Sequence, residues 1–268
     1  MLRQITALIK KDFQIEISYK FAFILNIFSV AASLIIYYFI DLMFGRTVTT
    51  HLEVFGVNYF PYVLLSMAFF SYIGVGVGSF AAKIRDEQLQ GTLESLLLSA
   101  TKVEVIILSM GLWNLIFATF NVAVYLIFGH FVFNVDFSQI NLLSTLVILI
   151  LTIISFSSLG IISASFILVL KRGNPVDWVI NTLEGILGGV YFPVTVMPKF
   201  LQVIAHCLPI TYAIRGLELA VYKGATLYDL RQDIIILALF SLVLAPVSLW
   251  VFKKGLRIAR TNGSLAQY

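Results

Sequence analysis

Charge is scarce in this chain: Asp, Glu, Lys and Arg make up 12% of its 268 residues. A typical soluble domain carries about twice that share, roughly 25%. Hydrophobic residues reach 60% and the mean hydropathy is +0.97, so a polar skin for a soluble fold cannot be assembled. A soluble enzyme, a secreted disulfide scaffold and a disordered tail are excluded together. Cysteine is almost missing. Cys207 stands alone, which rules out an intrachain disulfide and argues against a thiolate metal cluster. His51, His130 and His206 are scattered, and the His206-Cys207 pair lacks the companions of a metal site. No Ser/His/Asp set assembles with confidence. No Gly-x-x-x-x-Gly-Lys-Ser/Thr run occurs, so no loop here cradles nucleotide phosphates in the usual way. The net charge of +4 speaks of orientation in a membrane rather than of a nucleic-acid partner.

What the chain has in plenty is long apolar runs. A spanning helix needs about 20 largely apolar residues, and uncharged stretches at 21–40, 59–82, 105–129, 142–170 and 234–252 qualify. A sixth, 176–192, carries Asp177 near one end and Glu184 near its middle. The punctuation agrees with these boundaries. Asn58 and Pro61 suit the start of the second helix, Thr101-Lys102-Val103-Glu104 reads as a capping box, and Asn174-Pro175 offers a cap with a first-turn proline. Residues 200–214 are also apolar but short and broken by Pro209, so they read as a re-entrant hairpin rather than a crossing.

Basic residues decide the orientation. With six crossings, Arg3, Lys10, Lys11, Lys20, Lys83, Arg85, Lys102, Lys171, Arg172, Lys253, Lys254, Arg257 and Arg260 share one side. Only Arg46, Lys199, Arg215, Lys223 and Arg231 fall on the other. The positive-inside rule then predicts both termini in the cytoplasm. The expected fold is all-α and integral to the membrane: six transmembrane helices, an N-terminal amphipathic interface helix and an outer re-entrant helical hairpin between spans five and six. The chain reads as one transmembrane domain over 1–268, with the interface helix at 1–20, a cytoplasmic loop at 83–102 and the re-entrant segment at 193–222. The first span is expected to be a retained signal anchor. In the interface helix Leu2, Ile5, Ile9, Phe13 and Ile17 recur at helical spacing, with Arg3, Lys10, Gln14 and Ser18 on other faces. It is either a plain juxtamembrane anchor or an elbow that carries force into the first span.

The 83–102 loop opens with charges, breaks at Gly91 and offers Thr92 as the cap of a short helix. Leu89, Leu93, Leu96 and Leu97 would form its apolar face, with Glu94 and Ser95 pointing elsewhere. Such a helix is a knob for a partner's groove, or a solvated loop folded back on the membrane. The run Glu87-Gln88-Leu89-Gln90-Gly91-Thr92-Leu93-Glu94 resembles the cytoplasmic loop of type-2 ABC transporter permeases, the membrane subunits of many bacterial exporters. Tyr191-Phe192-Pro193 with Pro198, Leu201, Ile204, Pro209, Thr211-Tyr212 and Arg215 resembles that family's signature between its last two spans. The resemblance covers nearly the whole chain. It implies a dimer with a second permease subunit, the same or related, joined to cytoplasmic ABC ATPase subunits that bind ATP and Mg. This chain itself would hold no cofactor and catalyse nothing, and it would sit in the plasma (inner) membrane as a multi-pass protein. Glu87, Gly91, Thr92, Leu93, Glu94, Leu96 and Leu97 would then couple to the ATPase. Lys171–Pro175 would be a smaller second contact.

Polar residues inside the spans are the remaining candidates. An ionisable group near mid-membrane is costly and usually faces protein or water. Asp177, Asn181, Glu184, Gly188 and Tyr191 make one stripe on the fifth span. Asn26 and Asn121 head weaker stripes on the first and third. Asn181, Glu184, Asn26 and Asn121 are either a translocation surface, a dimer contact or hydrogen-bonded packing. Gly74, Gly78 and Ala82 form a small-residue ridge suited to packing, and Gly185 and Gly189 repeat the spacing. Two functions follow: the permease of an ATP-driven exporter moving a drug-like, lipid or glycan cargo, or an ATP-independent channel or ion-coupled carrier using Glu184.

Overall fold

A computed structural model describes residues 6, 10, 13, 14, 20–48, 51–93, 95, 103–170 and 182–261. Helices, turns and irregular connections account for all of them, with no strand among the described residues. In chain order the main elements are α1 (Lys20–Val48), α2 (Tyr59–Leu89), α3 (Val103–Ile127), α4 (Leu142–Leu170), α5 (Lys199–His206), α6 (Pro209–Tyr222) and α7 (Arg231–Thr261). One wide helical turn, Phe128–Val132, prolongs α3. It closes through Val135, whose N–H donates to the Gly129 carbonyl at 2.9 Å. Asn134 turns the chain there with φ 53°, a left-handed conformation that Asn tolerates better than most residues.

Among the described residues five helices are long and apolar enough to cross a membrane, and the pair α5–α6, bent by 88° at its break, makes a sixth if counted as one span. The protein is thus the all-helical membrane fold that the composition demands. The span expected at 176–192 falls largely outside the described residues; within it, 182–187 are helical. The interface helix also lies mostly outside them, although residues 6, 10, 13 and 14 are helical.

The break between α5 and α6 has a local cause. Pro209 opens α6, and Leu208 before it is extended at φ −98°, ψ 136°, as a residue preceding proline prefers. Side chains from the first turn of α6 then satisfy the carbonyls that α5 leaves open. Thr211 Oγ1 donates to the Ala205 carbonyl at 2.7 Å, and the Tyr212 hydroxyl to that of His206 at 2.9 Å. The loop that leads into α7 is fixed in the same way. Asp229 accepts the Thr226 hydroxyl at 2.7 Å and its N–H at 2.9 Å, and these bonds hold its carboxyl below the usual carboxylate range.

α2 and α4 form the middle of the bundle. α2 packs on α4 and α3, and α4 also takes α7 and α6. The α2–α4 crossing is a backbone contact. A Cβ on Gly160 would collide with the Gly76 carbonyl oxygen, and one on Gly76 would come within 2.9 Å of Phe156 Cβ. Hydroxyls join α4 to α7. Ser155 and Ser241 lie 2.9 Å apart, Ser241 donates to the Leu151 carbonyl at 3.0 Å, and Ser165 donates to that of Val251 at 3.1 Å. α1 stands at the edge, with Phe21, Phe28 and Met43 each at least 70% exposed.

One expectation is corrected here, and the small-residue ridge lies off the crossing. The second helix does not stop near Ala82 but runs through the charged residues to Leu89, because nothing from Ala81 to Gln90 breaks a helix and most of those residues favour one. The Gly74–Gly78–Ala82 ridge is not the α2–α4 contact: a Cβ on Gly74 meets nothing within 4 Å and Ala82 is exposed. The contact runs along Gly76 instead. Gly160→Ala should therefore destabilise the bundle by about 1–3 kcal/mol, the usual cost of overpacking, while Gly74→Ala should leave stability unchanged or slightly raised. Thermal unfolding of the two variants in detergent, followed by size-exclusion chromatography, measures the contrast; equal losses would refute the crossing.

Candidate functional site

The end of α2 is a built turn. The Gly91 N–H donates to the Gln88 carbonyl and the Thr92 N–H to that of Glu87, both at 3.0 Å. Gly91 sits at φ +67°, so this is the two-bond helix stop that glycine makes possible. Such a stop usually carries a hydrophobic contact across it; here the Thr92 hydroxyl donates to Glu87 Oε2 at 2.5 Å. Glu87 and Gln88 are each only 5% exposed. Leu93, next in the chain, is buried in a cluster with Ile84, Ile106, Leu168 and Leu256, which fastens the turn to α2, α3, α4 and α7. Leu89 points the other way and is 60% exposed. The two leucines therefore do not share one apolar face, because the helix ends between them and the glycine turn reverses the chain. Glu94, Leu96 and Leu97 lie outside the described residues.

At the opposite end of α2, three hydrogen bonds from buried side chains bind its first turns to α6 and to the 188–190 segment. Ser66 Oγ donates to Glu218 Oε1 at 2.8 Å, and Glu218 has no exposed surface. The Tyr62 hydroxyl donates to the Gly189 carbonyl, and the Tyr222 hydroxyl to that of Pro61 at 2.8 Å. Gly189 makes its part possible with φ +86°. Sequence reasoning passed over Glu218. The signal available was the spacing Thr211, Arg215, Glu218, Tyr222, a polar stripe along one helix.

The hairpin residues converge nearby. Pro193 and Pro198 precede the short turn Val194–Val196 and α5, and Pro209 opens α6. Tyr212 holds His206, as described above, and Arg215 reaches Asp233 in the first turn of α7 at 3.9 Å. Pro193 and Arg215 also line a cavity of about 280 Å³ together with His51, Tyr62, Gly189 and His206.

Glu184 lies in the helical stretch 182–187 and is 2% exposed, with Oε2 unpartnered among the described residues. Its carbonyl accepts the Gly188 N–H at 2.8 Å, and Gly188 abuts Ile210 of α6. Asn26 and Asn121 are half-buried, each with an Oδ1 that likewise lacks a partner. A contact of Phe23 with Phe120, ring centroids 4.8 Å apart, places the two asparagines on helices that touch at this level. No hydrogen bond joins either to Glu184 among the described residues, and Asn181 lies outside them. If the Ser66–Glu218 bond ties α2 to α6, Ser66→Ala and Glu218→Met should couple by roughly 0.6–1.7 kcal/mol in a double-mutant cycle, the range for such bonds in membrane proteins. Additive losses in detergent unfolding would show that the bond contributes nothing.

Comparison with known proteins adds an independent finding. A family model described as ABC-2 type transporter matches residues 3–222. The inner membrane transport permease YadH of Escherichia coli strain K12 is 26% identical over 187 residues, covering 67% of this chain and 69% of that protein. Its counterpart in Shigella flexneri matches with the same 26% identity, 67% and 69% coverage.

Proposed function

The chain belongs to the ABC-2 type transporter membrane family, and from that premise we propose that it is the permease subunit of an ATP-driven exporter whose energy enters at the turn after α2. As a permease it is a non-catalytic transmembrane subunit with no cofactor of its own, and permeases of this family work with a separate ATPase subunit. ATP and Mg bind to that partner. The observation that carries the coupling assignment is the rigid, glycine-stopped end of α2, with Glu87 and Thr92 bonded across it and Leu93 buried beneath.

A push delivered at Gly91–Leu93 would travel along one uninterrupted helix of 31 residues, about 45 Å at the α-helical rise. The Gly76–Gly160 crossing lies midway and serves as the fulcrum. Tyr62 and Ser66 at the far end pass the movement to α6 and the hairpin, so ATPase closure changes how that end of the bundle opens. Two such subunits, identical or related, form the dimer, and the exposed face of α1 is available to the second subunit or to lipid. Glu184, Asn26 and Asn121 supply polar groups to the path or the dimer contact. The cargo is drug-like, lipid or glycan. The excess of basic residues on one side supports cytoplasmic termini, and the relatives' name supports the inner membrane.

Two experiments test this reading. Purified in mild detergent with its ATPase, the chain should stimulate ATP hydrolysis. Gly91→Val should reduce the stimulation several-fold, since a branched residue at positive φ costs on the order of 1–3 kcal/mol. Glu184→Gln should change cargo preference and leave hydrolysis intact. Failure to recover any ATPase, or unchanged stimulation by Gly91→Val, would remove the coupling assignment. The orientation has its own probe, because Cys207 is the single cysteine and is exposed. A membrane-impermeant maleimide should label it in intact cells; labelling only after lysis would invert the topology.

A further inference from the structure

The cavity beside the hairpin, about 280 Å³ in volume, gathers unspent hydrogen-bond donors from three elements. His51 comes from the turn after α1, His206 from the last turn of α5 and Arg215 from the middle of α6. The turn is held by its own core: Leu52, with no exposed surface, packs with Phe55 and Tyr62, and the Phe55 N–H donates to the Leu52 carbonyl at 2.8 Å. The Thr211 bond to Ala205 fixes α5 against α6. His51 and His206 are exposed, and their rings make no hydrogen bond among the described residues. An imidazole keeps at least one N–H to donate in either tautomer. Arg215 is 44% exposed and reaches Asp233 only at 3.9 Å, beyond hydrogen-bond length, so its guanidinium fork still has donors to offer.

We propose that this cavity binds a phosphate group, with Arg215, His51 and His206 donating to its oxygens. Charge selects an anion. Arg215 is always positive, and among the described residues no carboxylate lines the cavity. Glu53 on the turn is exposed and Asp233 is buried behind Arg215, and neither is a lining residue. In residues 44–50, which lead into the turn, Arg46 is the one charge. Asp12, Glu16, Glu94 and Glu104, whose side chains lie outside the description, adjoin the opposite ends of α1, α2 and α3, and the 182–187 helix separates Asp177 from Gly188. Shape then selects phosphate over carboxylate. One guanidinium satisfies the two oxygens of a carboxylate, whereas donors converging from three elements suit a tetrahedral group. Size selects a single group and not a whole cargo, since sites for drug-sized ligands run to about 300–1,000 Å³. Phe55 and Ile214 in the walls lower the local dielectric and strengthen the charged bonds. A metal ion suits the cavity less well: no group of three His, Cys, Asp or Glu that could hold one occurs among the described residues, and Arg215 would repel it. Lipid headgroups and phosphorylated sugars carry phosphate esters, and the same donors would hold inorganic phosphate.

Soluble probes test the site on the purified chain without any ATPase, so a negative result would leave the exporter reading standing. Titration calorimetry in an uncharged detergent and chloride buffer should show binding of sn-glycerol 3-phosphate, of glycerophosphoglycerol or of inorganic phosphate. Tighter binding of the two esters would assign the site to an ester-bearing ligand, and tighter or equal binding of inorganic phosphate to the free ion. His51→Gln and His206→Gln, both at exposed positions, should each weaken binding severalfold. Arg215→Gln paired with Asp233→Asn, which leaves no buried acid without its partner, should weaken it roughly tenfold or more. Arg215→Lys should retain part of the affinity, and size-exclusion chromatography checks that each variant stays folded. Absence of binding by all three probes would overturn the site, as would binding that folded variants leave unchanged. Zinc binding that needs both histidines, with phosphate ignored, would overturn it as well.

Discussion

The crossing of α2 over α4 at Gly76 and Gly160 is the contact on which the rest of the bundle depends. In water, burying leucines would pull two helices together; in lipid the tails are as apolar as the leucines, and that force is missing. What remains is dispersion at close range and hydrogen bonding. A glycine on each helix lets the backbones meet, with the Gly76 carbonyl lying where a Gly160 Cβ would stand. α4 is thereby fixed against α2, and its other faces are free to take α6 and α7. The serine bonds between α4 and α7 are the second device of the same kind, each a hydroxyl that would otherwise lie unpaired in hydrocarbon.

The same scarcity of force explains why the two ends of α2 are so heavily tied. A helix held only at its middle would rock. At one end Tyr62, Ser66 and the Pro61 carbonyl fix it to α6 and the 188–190 segment; at the other, Gly91, Thr92 and Leu93 fold back on its last turn. The long helix becomes a lever with a defined pivot and two defined loads. A lever needs stiffness along its length, and the run from Ala81 to Gln90, free of glycine and proline, supplies it where a loop was expected.

Much of this architecture was legible in the chain because lipid imposes so strong a constraint on composition. Spans had to appear as uncharged runs, Gly91 as a stop, and Pro209 as a break with its preceding residue extended. The helix at 83–89 was missed because its charges suggested a loop, whereas charge says only that a helix has left the hydrocarbon, not that it has ended. The glycine ridge Gly74–Gly78–Ala82 was read without a partner helix, and the crossing uses Gly76, which lies on another face; the partner, Gly160, decides which glycine is used. Glu218 went unnoticed for a similar reason. Its partner is Ser66, 152 residues away; the local stripe Thr211, Arg215, Glu218, Tyr222 marks the helix face but not that partner.

The buried acids sort by what they hold. Glu87 closes the turn with Thr92, Glu218 receives Ser66, and Asp233 faces Arg215. Each of these three joins two pieces of chain, so its burial is offset by a bond that shapes the fold. Glu184 is equally buried, and its Oε2 meets no donor among the described residues, as is also true of Glu218 Oε2 and Asp233 Oδ1. A carboxyl oxygen kept from water without a partner costs stability and contributes nothing to packing that a leucine would not. What separates Glu184 from the other three is that, among the described residues, its carboxyl makes no bond to a second piece of chain, whereas Glu87, Glu218 and Asp233 each have one. That difference is what supports the proposal that it serves contacts with cargo or with a second permease chain.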